Sequence, residues 1–206
     1  MVRRLIRGLD ALLRRSYHIY EFNNDPDCML RISLGVSQRE FTLANGIHIQ
    51  RGDPVGEVHF WNEHIPQIPE KGPGLAWARL FQKRLEFSLK ALAEHVANNP
   101  DFEQVQVFHG DPPIGGVNMS RVLQRGFQRW GFEFGPEPEK GGIWYRFVDF
   151  WRNLYVTSLV WAFNPRSLNN KDVRHIERLQ ILLSRETLMR KYYETGQHER
   201  RPELQV

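Results

Sequence analysis

A single cysteine, Cys28, excludes an intramolecular disulfide, and no Cys/His set of zinc-finger spacing is present, so the chain reads as reduced and cytosolic. Long apolar runs are missing as well. The most aromatic stretch, residues 143–163, carries Arg146, Asp149 and Arg152, which excludes it as a transmembrane span. Named catalytic signatures are lacking: there is no His-Glu-x-x-His, no Gly-x-Ser-x-Gly, no phosphate loop and no Gly-x-Gly-x-x-Gly opening a helix. These gaps leave any cofactor or metal unassigned. Low-complexity segments and fixed-period repeats are also absent, so disorder is expected only at the ends.

Excess positive charge is confined to one place. Arg3, Arg4, Arg7, Arg14 and Arg15 against Asp10 account for the whole formal excess of +4. The rest of the chain is balanced, which speaks against a nucleic-acid partner, since such domains spread Lys and Arg over a folded face. What is present is apolar material, 41% of 206 residues, enough for one substantial core. A single domain over residues 1–195 with a flexible tail at 196–206 is expected. Residues 2–15 fit an amphipathic helix, with Leu5, Ile6, Leu9, Leu12 and Leu13 on one stripe and arginines opposite. Arg7 and Asp10 interrupt the apolar stretch, and no small-residue cleavage site follows, against a signal peptide. Docking on the protein's own sheet and binding to an anionic membrane surface both remain open for it.

Short strands are predicted over residues 29–36, 39–44, 47–49 and 55–62, forming an antiparallel meander. Asn45-Gly46 predicts a type I′ hairpin turn and Arg51-Gly52-Asp53-Pro54 a second turn. The clearest helix spans residues 75–98, with Leu80, Phe81, Leu85, Leu89, Leu92, Ala93 and Val96 as its apolar stripe. A strand at 105–108 leads to His109-Gly110-Asp111. A helix capped by Asn118 runs to Trp130 and stops at Gly131, and residues 132–134 add a strand. A further helix is expected from Lys171, and Ser184 opens a capped helix or interrupts a longer one. The whole reads as α/β (mixed α+β): a largely antiparallel sheet with strand-helix-strand additions and helices packed on it.

The densest chemistry lies between Asn45 and Pro66. On alternating positions Glu57, His59 and Trp61 share one strand face, and the strand end delivers Asn62, Glu63 and His64 to the same rim. His109 and Asp111, at another strand end, are candidates to join them. A carboxylate beside an imidazole suits acid–base work, so Glu57, His59, Glu63 and His64 are the candidate catalytic residues. Candidate ligand contacts are Trp61, Asn62, His109, Asp111, Trp144, Arg146, Trp151 and Arg152, where aromatic rings offer stacking surface and arginines suit an anionic headgroup. The competing view has His59 bonded within the sheet and Glu57 paired with Arg79 or Arg84.

Several segments resemble the YkoP-like family: Leu43-Ala-Asn-Gly-Ile-His-Ile-Gln-Arg-Gly-Asp-Pro-Val-Gly-Glu-Val-His-Phe-Trp-Asn-Glu-His-Ile-Pro, Leu89-Lys-Ala-Leu-Ala, Gly131-Phe-Glu and Ser184-Arg-Glu-Thr-Leu-Met-Arg-Lys-Tyr. Domains of that family also occur attached to polysaccharide-deacetylase-type proteins. The resemblance implies bacterial origin and an envelope glycan or lipid setting. No paired metal-binding His and Asp of the deacetylase type stand in this chain, so that activity does not carry over. The expected function is binding, and in its stronger form modification, of a lipid- or glycan-linked metabolite. The expected location is the cytoplasm or the inner face of the membrane. The alternative is a non-catalytic module that docks on a partner protein through its N- and C-terminal helices.

Overall fold

The computed structural model describes residues 15–72, 74–110, 113–115, 124–135, 176–178 and 180–194, with backbone alone at 113–115 and 176–178. The expected helix before Arg15, the cap at Asn118, the aromatic run at 143–163 and the tail at 196–206 lie outside the described residues, as do Asp111, Trp144, Arg146, Trp151 and Arg152.

Apolar and polar residues alternate in Leu-Arg-Ile-Ser-Leu-Gly-Val, which forms strand β1 (Leu30–Val36). It pairs antiparallel with β4 (Pro54–Phe60), in register from Leu30↔Phe60 to Val36↔Pro54. Between them β2 (Phe41–Thr42) and β3 (His48–Ile49) form a separate small hairpin. Its turn differs from the type I′ expectation. A type I′ turn needs positive φ at both central residues, yet of Asn45 and Gly46 only Gly46 has it, at 86°. Gly46 N–H donates to Leu43 O and Leu43 N–H to Ile47 O, both at 2.9 Å, which makes a three-residue loop with a glycine bulge. In the second turn Asp53 N–H donates to Gln50 O at 3.2 Å, and Gly52 at φ 97° takes the position that a type II turn reserves for glycine.

The long helix spans Leu75–Asn98, as expected. Its buried stripe is Leu85, Leu89, Leu92, Ala93 and Val96, whereas Leu80, expected on the stripe, is exposed. The helix reaches the sheet only after its first turns. It is the crossover that a parallel pair requires, and β5 (Val107–Gly110) runs parallel to β4 with Gly56↔Phe108 and Glu57↔His109 opposed. The sheet is therefore mixed. β9 (Ile181–Ser184) pairs antiparallel with β5, and β7 (Glu133–Phe134) with β9, giving the order β1-β4-β5-β9-β7 in place of a plain meander.

β6 (Pro113–Gly115) and β8 (Ile176–Arg178) form a second small antiparallel pair. Ile176–Arg178 thus departs from the helix expected after Lys171. The local pattern carries no information about a partner some sixty residues away, and tertiary pairing overrides propensity here. After β9 the chain turns helical at once, because the Ser184 hydroxyl accepts Thr187 N–H at 3.1 Å and caps Arg185–Leu188, which continues as a π-helical Met189–Glu194. Gly131, at φ 95°, closes the helix over residues 124–129 in a Schellman arrangement. Phe132 N–H donates to Phe127 O at 2.9 Å, Gly131 N–H donates to Gln128 O at 3.0 Å, and the two phenyl rings meet at 5.5 Å.

Strand alternation gives the sheet two different faces. Leu30, Ile32, Phe108, Ile181 and Leu183 pack with the long helix in the main core. On the other face Val55, Val107 and Leu182 pack against Leu43 and Ile49 of the small hairpin, in a second cluster. Gly56 joins strand to core. A Cβ there would lie 2.3 Å from Cδ1 of Phe108. Gly56→Ala is expected to destabilise the fold by about 1–3 kcal/mol through overpacking, read as a lower midpoint in urea unfolding. An unchanged midpoint would show that the Phe108 ring can move aside.

Candidate functional site

The second face is where the chemistry gathers. Strand register sets Ser33 opposite Glu57, Arg31 opposite His59, and His109 opposite Glu57 on the other side, so three strands supply one polar row. The Ser33 hydroxyl donates to Glu57 Oε2 at 3.2 Å and lies 3.0 Å from His59 Nε2. His59 Nε2 stands 3.7 Å from Glu57 Oε2, and His109 Nε2 stands 3.9 Å from Glu57 Oε1. Glu57 and His59 are each 35% exposed, whereas Ser33 is buried. One carboxylate therefore sits between two imidazoles, with a hydroxyl beneath it.

Proton bookkeeping limits what this group does. A carboxylate is the stronger acceptor, so the Ser33 proton goes to Glu57 and the Ser33 oxygen accepts from His59 Nε2–H. A serine nucleophile would need the opposite polarity and access to solvent, and the carboxylate would have to hold Nδ1 of the histidine. Ser33 is a positioning group for Glu57. His109 Nδ1 is buried and has no hydrogen-bond partner among the described residues, which for a group left unpaired costs about 1–3 kcal/mol. Among the described residues no group of three or more His, Cys, Asp and Glu side chains is arranged to hold a metal ion.

At the far end of the row Arg31 is buried, 2.9 Å from Glu21 and 3.9 Å from Glu63, with its guanidinium carbon 4.2 Å from the Trp61 ring centroid. His64 stacks on the same indole at 3.7 Å and its Nδ1 lies 2.6 Å from the Cys28 carbonyl. A carbonyl can only accept, so Nδ1 carries a proton and donates it. Asn62 is half-buried in the turn between them.

Sequence reasoning placed Glu57, His59 and His109 together correctly, but it missed Ser33, Arg31, Glu21 and Gly35. The signal for three of these was present in β1, whose odd positions Arg31, Ser33 and Gly35 are polar or small inside an apolar strand. Glu63 and His64 belong to the Arg31–Trp61 end rather than to the carboxylate. The pairing of Glu57 with Arg79 or Arg84 does not occur: Arg84 pairs with Asp27 at 2.9 Å and donates to the His64 carbonyl at 2.8 Å.

An α+β domain with one helix-covered sheet face and one polar, partly exposed face is the class of protein these observations define. The chain belongs to the YkoP domain family, whose match covers residues 1–192. A cytochrome P450 monooxygenase, sdnB, of Sordaria araneosa is 28% identical over 101 residues, which is 47% of this chain and 18% of that protein. The chain thus spans under a fifth of that relative. P450 chemistry uses a cysteine thiolate on haem iron. Cys28 is buried, its thiol donates to the Leu30 carbonyl at 3.6 Å, and burial pushes its pKa up, so the likeness brings no haem ligand with it. No solved structure matches the chain.

Gly35 keeps Glu57 where it is. A Cβ at Gly35 would fall 2.6 Å from Glu57 Oε1, the end of a flexible, partly exposed side chain. Gly35→Ala should therefore cost under about 1 kcal/mol while displacing the carboxylate. The expected signature is a near-normal melting curve with shifted His59 and His109 ring resonances. Unshifted rings would mean that Glu57 does not depend on Gly35.

Proposed function

We propose that this YkoP domain binds a small hydroxyl-rich ligand, of the glycan- or lipid-linked class, along the sheet face that the long helix leaves uncovered. One observation carries the reading: the Glu57 carboxylate, a third exposed, is ringed by Ser33, His59 and His109. A carboxylate accepts hydroxyl protons, and imidazoles both donate and accept, so the row matches a ligand that does both. Where the ligand is also modified, Glu57 and His59 are the acid–base pair, with Glu63 and His64 at the rim and Trp61, Asn62 and His109 as contacts. Asp111, Trp144, Arg146, Trp151 and Arg152 stay in the proposal as ligand contacts on sequence grounds. No helix among the described residues is long and apolar enough to cross a membrane. The amphipathic residues 2–15 supply the contact with an anionic membrane surface in this reading.

The rival, a docking module, loses part of its surface. Tyr192 is buried with its hydroxyl donating to the Trp130 carbonyl at 2.8 Å, and Tyr193 packs against the core, so the C-terminal tyrosines face inward.

Titration with N,N′-diacetylchitobiose, N-acetylglucosamine 1-phosphate and phosphatidylglycerol vesicles tests the reading. Saturable binding of at least one is expected, weakened about tenfold or more by Glu57→Gln through loss of a charged acceptor. Silence from all three, or binding indifferent to Glu57→Gln, rejects it. Co-sedimentation of the full chain and of a chain starting at Ser16 with the same vesicles tests the membrane part. Equal pelleting, or none by either, removes it.

A further inference from the structure

The long helix carries apolar side chains that the core does not use. Leu80 and Phe87 stand seven residues apart, two turns along one face, and are 42% and 37% exposed. The core side of the same helix is Leu85, Leu89, Leu92 and Val96. Phe87 and Leu89 lie about 200° apart around the helix axis, so Phe87 points away from the sheet. Leu75, the first residue of the helix, is exposed as well.

Cations interleave with these residues. Ala76, Leu80, Lys83, Phe87 and Lys90 recur at four- and three-residue steps and form one stripe, with Arg79 beside it. Arg79 and Lys83 are exposed and meet no carboxylate among the described residues, whereas Arg84, nearer the core, is held by Asp27 at 2.9 Å. The acids of the helix are Glu86 and Glu94. Glu86 lies on the flank and accepts from Gln82 Nε2 at 2.9 Å, and Glu94 comes a turn after Lys90. Up to Lys90, the stripe therefore shows water apolar groups and positive charge, with no acid among them.

We propose that this stripe lays the domain on an anionic lipid surface, as a contact separate from residues 2–15. Leu80 and Phe87 enter the acyl boundary, while Arg79 and Lys83 run their methylene stems along it and keep their charged ends among the phosphates. Another helix fits the same spacing poorly. A helix–helix seam at these positions would bury Lys83 and Lys90 in layers that call for apolar knobs. A second copy fares no better, because a two-fold contact sets one cationic patch against the other. The helix and the polar row lie on opposite faces of the sheet, so docking here leaves the Glu57 row open to water.

Co-sedimentation of the full chain with lipid vesicles tests the proposal. The native chain should pellet with phosphatidylglycerol and phosphatidylcholine in equal parts and stay in solution with phosphatidylcholine alone. Two double variants, Leu80→Ser with Phe87→Ser and Arg79→Glu with Lys83→Glu, should each weaken binding about tenfold or more. Both should melt close to the native chain, since all four positions are exposed. No pelleting with the anionic vesicles, equal pelleting with both kinds, or binding that either variant leaves unchanged overturns the proposal. So does a native dimer that Leu80→Ser with Phe87→Ser makes monomeric, which would give the stripe to a second copy. If a variant melts low, the native chain decides. A lipid spin-labelled at its headgroup must then broaden the amide signals of Leu80, Lys83 and Phe87 ahead of those of Glu57 and His59, and any other order overturns the proposal. No sugar enters either readout, so failure here and failure of the ligand-binding reading are separate results.

Discussion

Close approach of Phe108 to the bare backbone of Gly56 is the contact on which the centre of the molecule depends. It lies at the parallel join between β4 and β5, where the long helix, and no hairpin, brings the two strands together. Such a pairing closes late and needs a reason to settle in one register. The ring filling the space above Gly56 supplies it. A slip by one residue would turn Phe108 from the helix-side core to the polar face and carry His109 away from Glu57. Core packing on one face thereby fixes a carboxylate–imidazole pair on the other.

Local patterns made much of this legible. The periodicity of residues 75–98 marked the long helix to the residue, because its apolar stripe and its Asn98-Asn99-Pro100 stop are both encoded in adjacent positions. Period-two alternation in β4 correctly put Glu57 and His59 on one side, and Trp61, one residue past the strand, meets Arg31 there. Errors arose where the answer lay in a partner. Ile176–Arg178 is a strand because Pro113–Gly115 runs beside it, and the parallel join is invisible without knowing that the long helix returns the chain to β4. Ser33 was overlooked for the same reason: a serine in a strand gains meaning only when register sets it against Glu57.

Arg31 shows how the polar face is kept from weakening the fold. A buried guanidinium left alone would be costly, and partners that stay partly in water make it tolerable. Glu21 and Glu63 are each about a third exposed and the Trp61 indole covers the cation. The same residue ties three separate parts of the chain together, since Glu21 lies before β1 while Glu63 and Trp61 lie after β4. The polar row thus has a structural end, at Arg31 and Trp61, and a chemically open end, at Glu57.

Two glycines flank that open end, and each serves a different face. Glycine inside a strand costs about 0.5–1 kcal/mol relative to alanine, and it packs nothing of its own. Gly56, in the residue before Glu57, admits the Phe108 ring to the core, whereas Gly35, across the strand pair, admits the Glu57 carboxylate to its place beside Ser33. Stability alone would favour a side chain at Gly35, where only the end of a flexible glutamate would have to give way. Glycine there leaves the Glu57 carboxylate, a third exposed, the space it occupies, at a small cost in stability. The room left at Gly35 and the Ser33 hydroxyl together place the Glu57 carboxylate between the His59 and His109 rings, so the geometry of the polar row depends on a residue that contributes no side chain to it.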